Sequence, residues 1–232
     1  MSLLTVGLDA DDTLWRTEPH FRLTQAKFAE WLAPFASAGT LQARLAEVEA
    51  RNLRLYGYGV KGFTLSMIET AMDFAAGADA SDAIHHILAA GRDMLDHPVE
   101  PLPGVAETLA SLAGQYRLVL ITKGDLLHQE RKLAASGLGD HFSAVEIVSE
   151  KDAAVYARIF ARHGAGPERA AMVGDSVRSD VLPALEAGAF AAHVPPPMTW
   201  SHEAAESPAG HPRFAELNAI TDLPAWLERC EA

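Results

Sequence analysis

The sequence predicts an α/β protein: a Rossmann-like, mostly parallel sheet with an all-helical block inserted after its first strand. Three observations lead there. A short apolar run near the start, Leu3 to Leu8, ends abruptly in Asp9, Asp11 and Asp12. From about residue 17 to residue 97 apolar residues recur at helical spacing, with no good strand. From residue 105 onward helical and strand patterns alternate, which is the signature of parallel strands joined by crossover helices. The 232 residues suffice for one large domain or a domain with a smaller companion.

Residues 3–8 read as the first strand, because a short apolar run bounded by polar residues suits a strand buried on both faces. In the helical block Phe21, Phe28, Trp31 and Leu32 are followed by Leu41, Leu45, Val48 and Leu53. A further helix pair is expected over 63–75 and 82–95, giving roughly four helices. The Tyr56–Gly62 stretch, rich in glycine, punctuates the block. Pro98, Pro101 and Pro103-Gly104 form a stiff return. Strands are then expected at 116–121, 145–148, 170–173 and 189–194. The helices between them cover 105–112, 125–135, 152–162 and 179–187. A loop rich in Pro, Ser and His runs from Pro195 to Gly210, followed by a small edge strand at 218–221 and a last helix at 223–229. The expected organisation is thus a core of residues 1–16 and 98–232, with 17–97 as a cap placed to act as a lid.

Composition narrows the function. Hydrophobic residues make up 49% and charged residues 22%, the balance of a globular chain with ample core. The net charge, 19 − 31 = −12, disfavours a nucleic-acid binder, which needs a basic face to displace counterions. No apolar run approaches the roughly 18 residues of a membrane span, and the start lacks the pattern of a signal peptide. The lone Cys230 fits a reducing, cytoplasmic setting.

The chemistry-bearing residues stand at strand ends. The first strand delivers Asp9 and Asp11; the second ends in Thr122-Lys123-Gly124; Lys151 follows the third; Gly174-Asp175 and Asp180 follow the fourth. In a parallel sheet these ends share one edge, so residues more than a hundred positions apart converge on one crevice. Crowded carboxylates need a compensating cation, and hard oxygen donors without His or Cys favour magnesium over zinc. A lysine, a hydroxyl and backbone N–H groups at Lys123 and Gly124 are what a phosphoryl group requires. Taken singly, each residue has a plainer reading: Thr122 as a helix cap, Lys151 as a surface lysine, Asp175 as a turn residue, Asp180 as a first-turn helix acid. Trp15, beside the acids, is a candidate for the entrance, and Tyr58 and Lys61 are candidates for substrate selection, or else part of an ordinary helix connection.

Asp9-x-Asp11-x-Thr13, Thr122, Lys151 and Gly174-Asp175 with Asp180, in this order, resemble the four motifs of the haloacid dehalogenase (HAD) superfamily. The helical block resembles that family's inserted cap, so the resemblance covers the whole chain. Asp12 stands where many members have Gly, and Asp152 where many have Pro. The resemblance implies Asp9 as nucleophile forming an aspartyl-phosphate and Asp11 as general acid and base. It implies Mg2+ held by Asp9, the Asp11 carbonyl and Asp175, with Asp180 one layer out, and phosphoryl oxygens gripped by Thr122 and Lys151. The implied activity is a magnesium-dependent phosphatase acting on a small phosphorylated metabolite. A metal-independent haloacid dehalogenase, which lacks an acid at the position of Asp11, and a phosphomutase are the alternatives within the superfamily.

Overall fold

The computed structural model describes residues 3–75, 80–198, 200 and 203–231. Six strands form one sheet, β1 (Thr5–Leu8), β2 (Arg117–Lys123), β3 (Ala144–Val148), β4 (Ala170–Gly174), β5 (Phe190–His193) and β6 (Phe214–Glu216), in the order β3-β2-β1-β4-β5-β6. Every pairing is parallel. Between β1 and β2 come α1 (Glu18–Trp31), α2 (Ala38–Tyr56), α3 (Val60–Phe74), α4 (Ser81–Leu95) and α5 (Val105–Leu112). The crossovers that follow use α6 (Leu126–Ser136), α7 (Ala153–His163) and α8 (Leu182–Glu186), and α9 (Leu223–Glu231) ends the described chain. This is the Rossmann-like α/β architecture.

The sheet is buried on both faces by the alternation of its own strands. Leu118 and Leu120 join the cluster that contains Val105, Leu109, Leu223 and Trp226 from α5 and α9. Val119 and Ile121 point the other way, into the cluster with Tyr156, Ile159, Phe160, Val181 and Ala184. β1 lies centrally, between β2 and β4. Gly7 is required there by close packing: a Cβ would meet Ile121 Cδ1 at 2.8 Å, Met172 Sδ at 3.0 Å and Phe160 Cε1 at 3.2 Å.

The chain divides into two compact units, one of residues 1–18, 99–123 and 129–232, the other of 19–98 with 124–128. The second has its own core, with Phe28, Leu32, Leu41, Leu45, Phe63, Met67 and Ile87 all buried. Its helices follow the expected 3.6-residue spacing. Ser37 caps α2 by accepting from Thr40 N, and Arg44 bridges α2 to Asp73 of α3 at 2.7 Å.

Two expectations are corrected. The edge strand expected at 218–221 is instead β6 at Phe214–Glu216, and residues 220–222 form a 3-10 turn. Only three residues pair in β6, too few for the alternation that marks a strand in sequence; its register on Ala191, Ala192 and His193 is set by tertiary contact. The helix expected from Ser179 is preceded by a single π turn, Val177–Val181, with α8 reduced to five residues after it. In that turn Asp180 N and Val181 N both donate to Ser176 O, which swings Asp180 back toward the end of β4.

Candidate active site

The carboxyl ends of β1, β2 and β4, with Lys151 after β3, bring the site together. Asp9 N continues the β1–β4 ladder by donating to Val173 O, so its backbone is fixed before its side chain is placed. Lys151 Nζ donates to Asp9 Oδ1 at 2.5 Å and to Asp180 Oδ1 at 2.6 Å. The Thr13 hydroxyl lies 3.1 Å from Asp9 Oδ2 and 3.4 Å from Asp175 Oδ1. Asp9, Asp175 and Asp180 each contribute a carboxylate oxygen to a group in which all three atoms lie within 4.8 Å. Asp180 was expected one layer out; it stands within this acid group as well as on Lys151.

The electrostatics follow from that crowding. Burial penalises the charged lysine, yet Asp180 and Asp9 outweigh it and raise Lys151 well above its usual range, so it remains an ammonium. Burial, reinforced by Asp9 and Asp180, pushes Asp175 well above the ordinary carboxylate value. Burial lifts Asp180 to about 6 despite the opposing effect of Lys151. One ammonium therefore does not balance three carboxylates. The group is all hard oxygen, its deficit is positive charge, and it fits a divalent ion of the magnesium type.

Asp11 has a separate set of partners. Lys132 Nζ reaches its Oδ1 at 2.5 Å and its Oδ2 at 2.7 Å. The Trp15 indole N–H and the Thr17 hydroxyl donate to Oδ1 at 2.7 and 2.8 Å, and Gln129 Nε2 donates to Oδ2 at 3.0 Å. Burial alone would raise this carboxyl, but Lys132, Thr17 and Trp15 hold it down at about 2. Trp15 is therefore not an entrance residue. It is 1% exposed, packs in the core and points its N–H at Asp11. Asp12 is a cap: at φ 61 its carboxylate accepts from Thr17 N and Glu18 N, the N–H groups opening α1.

Thr122, buried, donates to Lys123 O and accepts from Gln129 Nε2 at 2.8 Å. It does not cap α6; Asp125 does, accepting from His128 N. The Lys123 side chain runs to Glu203 Oε1 at 2.7 Å and Ser179 Oγ at 2.8 Å. Glu203 also accepts from Ser176 and Ser179, and although burial opposes it, Lys123 keeps this carboxyl below its ordinary value. Gly124, at φ 126, turns the chain after β2. In the helical unit Lys61 pairs with Asp125 at 2.8 Å, and Tyr58 lies in the turn between α2 and α3.

Thr17, Gln129, Lys132, Ser176, Ser179 and Glu203 were not singled out from sequence, whereas Thr13 belongs to the first motif. For Gln129 and Lys132 a signal existed: polar residues three apart on a helix that starts directly behind a site strand.

A doubly covered parallel sheet with acids, threonine and lysine at its carboxyl edge defines a Rossmann-like α/β protein built around strand-end aspartates. The family is haloacid dehalogenase-like hydrolase, whose model matches residues 3–188, and the chain belongs to it. It is 31% identical over 188 residues to a phosphoserine phosphatase of Thermus thermophilus, covering 77% of this chain and 72% of that one. It is 33% identical over 96 residues to a glyceraldehyde 3-phosphate phosphatase of Methanothermobacter thermautotrophicus, covering 39% and 42%. A haloacid dehalogenase-like family hydrolase from Xanthomonas campestris, known from its crystal structure, superposes with a TM-score of 0.88 at 41% identity, covering 99% of this chain and 92% of that one. Among the described residues no helix is long and apolar enough to cross a membrane.

Proposed function

We propose that this hydrolase is a magnesium-dependent phosphatase that cleaves a small phosphate monoester through an aspartyl-phosphate on Asp9. The observation that carries the reading is Lys151 bonded to Asp9 and Asp180 with an Asp175 oxygen within 4.8 Å of theirs, and Asp11 held by its own donors. Asp9 attacks phosphorus; the Asp9 O–P bond forms as the ester P–O bond breaks. Lys151 and Thr13 hold its two oxygens, which orients the nucleophile. Asp11 gives a proton to the departing oxygen, then takes one from the water that displaces Asp9 from phosphorus. At rest Asp11 is ionised; a phosphoryl group arriving beside it brings like charge that raises its carboxyl against Lys132, so Asp11 takes up from solvent the proton it then donates. Thr122 and Lys151, with the backbone at Lys123 and Gly124, bind phosphoryl oxygens. Asp9, the Asp11 carbonyl and Asp175, with Asp180 in support, would hold Mg2+, which would screen the repulsion between nucleophile and phosphate.

Two curated relatives are named for small phosphate esters, which favours a small phosphorylated metabolite. The helical block that follows the nucleophile strand favours it too, read as a size-limiting cap with Trp15 excluded and Tyr58 and Lys61 retained as selection residues. A dehalogenase is disfavoured by Asp11, since a departing halide needs no proton. The test is a panel of phosphate esters with magnesium. Asp9→Asn should lower phosphate release about a thousandfold or more with the fold intact, and EDTA should stop turnover. Phosphate release that persists in Asp9→Asn, or in EDTA, ends this reading.

A further inference from the structure

We infer that Lys132, assisted by Gln129, is a positioning residue that clamps the Asp11 carboxylate for proton transfer to the leaving group. This rests on the phosphatase reading above and adds to it a second lysine, on α6, that none of the strand-end motifs contains.

Three features separate a clamp from an ordinary ion pair. The first is the number of directions from which Asp11 is held. Its Oδ1 accepts from Trp15, Thr17 and Lys132, and its Oδ2 from Lys132 and Gln129. A carboxylate whose two oxygens are held from different sides cannot turn about its last torsion without losing several charge-assisted bonds. The second is burial. Lys132 is 8% exposed, so its long side chain is committed to this geometry, unlike a surface lysine that samples many. The third is the way Gln129 is used. Its Nε2 lies within bonding distance of Asp11 Oδ2, Thr122 Oγ1 and Lys123 O, while its buried Oε1 has no hydrogen-bond partner among the described residues. A purely structural glutamine would satisfy both ends. This one leaves its acceptor unmet while its nitrogen ties Asp11 to Thr122, and hence the proton-transfer group to the phosphate-binding strand end. Gln129 and Lys132 sit three apart on one face of α6, so a single helix delivers both.

A positioning role through Asp11 has a distinctive kinetic sign, because proton donation matters only when the departing oxygen is a poor leaving group. The experiment compares an alkyl ester, phosphoserine, with dinitrophenyl phosphate, whose phenolate departs without a proton. Lys132→Met should lower kcat on phosphoserine by about a hundredfold, within the range of general-acid assistance. On dinitrophenyl phosphate it should change the rate of phenolate release in the first turnover by less than about threefold; the first turnover is the readout because the later hydrolysis of the aspartyl-phosphate uses Asp11 with either ester. Lys132→Arg, which keeps two donors, should recover most of the loss. Trp15→Phe, which removes one donor and keeps the packing, should show the same leaving-group pattern at about a fivefold loss on phosphoserine. Equal losses of Lys132→Met on the two esters, or no loss on either, overturn the clamp; if that variant fails to fold, equal losses in Trp15→Phe do the same. Asp9→Asn is measured alongside. Full turnover in that variant brings down the phosphatase reading and the clamp together, whereas an inactive Asp9→Asn beside equal losses in the Lys132 variant refutes the clamp alone.

Discussion

Replacing Lys151 by Met removes the one ammonium buried among the acids. Its side chain is 2% exposed, and those of Asp9 and Asp180 are 9% and 1%, so the discount that applies to surface pairs does not apply here. Stripping one partner from a buried pair costs about 3–5 kcal/mol, and here two carboxylates lose their counter-charge at once. That is a large share of the roughly 5–15 kcal/mol by which a domain is stable. The cost depends on pH, and its sign is fixed. The Asp180 carboxyl already titrates at about 6 with Lys151 present, above its ordinary 3.8, so it rises further without it. A carboxyl with a raised folded-state value binds more protons folded than unfolded, so stability falls as pH climbs through that window. The loss on Lys151→Met should therefore be about 4 kcal/mol near pH 8 and about 1–2 kcal/mol smaller near pH 5, where a proton replaces the ammonium. Urea unfolding in metal-free buffer, followed by tryptophan fluorescence, is the assay, since Trp15 and Trp226 both report on the sheet's core. The double variant with Asp180→Asn should regain about 2 kcal/mol, because it deletes one of the stranded charges. A loss below about 1 kcal/mol, or one that does not change with pH, would show that water rather than Lys151 neutralises these acids.

Two further outcomes follow. Gly174→Ala places a methyl group on the Asp180 carboxylate and should cost about 3 kcal/mol while lowering turnover, because Asp180 must leave Lys151 to make room; a wild-type melting curve with full activity would contradict this. The Asp11 carboxyl is held at about 2 against an ordinary 3.8, so its contribution is complete above 3.8 and is lost as pH falls toward 2, up to about 2 kcal/mol. Urea midpoints compared between wild type and Lys132→Met should converge over that acid range, and parallel curves would show that Lys132 does not set the shift.

The fold was legible because its signals are local: apolar runs for strands, 3.6-residue spacing for α1 to α4, prolines at the return. The meeting of Asp9, Thr122, Lys151 and Asp175 at one edge was legible from topology, since parallel strands end on the same side. What sequence withheld depends on side-chain direction. Trp15 has the composition of an entrance residue and faces the core instead. Gln129 and Lys132 look like an exposed helix face until α6 is seen turned toward Asp11. Glu203 lies in a stretch of loop composition and becomes meaningful only through Lys123, 80 positions earlier. β6 carries no pattern of its own and exists because β5 offers it an edge.

The central position of β1 also orders events during synthesis. Thr5 pairs with Arg117 on one side and Ala170 on the other. The strand that carries Asp9 is thus made well before its second neighbour, β4, whose Ala170 lies more than a hundred positions further along the chain. The helices of the inserted unit emerge complete in that interval, and their contacts run mainly between neighbours such as α2 with α3 and α3 with α4. A nascent chain therefore holds a finished helical bundle tethered to a lone apolar strand, which makes β1 the segment most in need of shelter while the ribosome works.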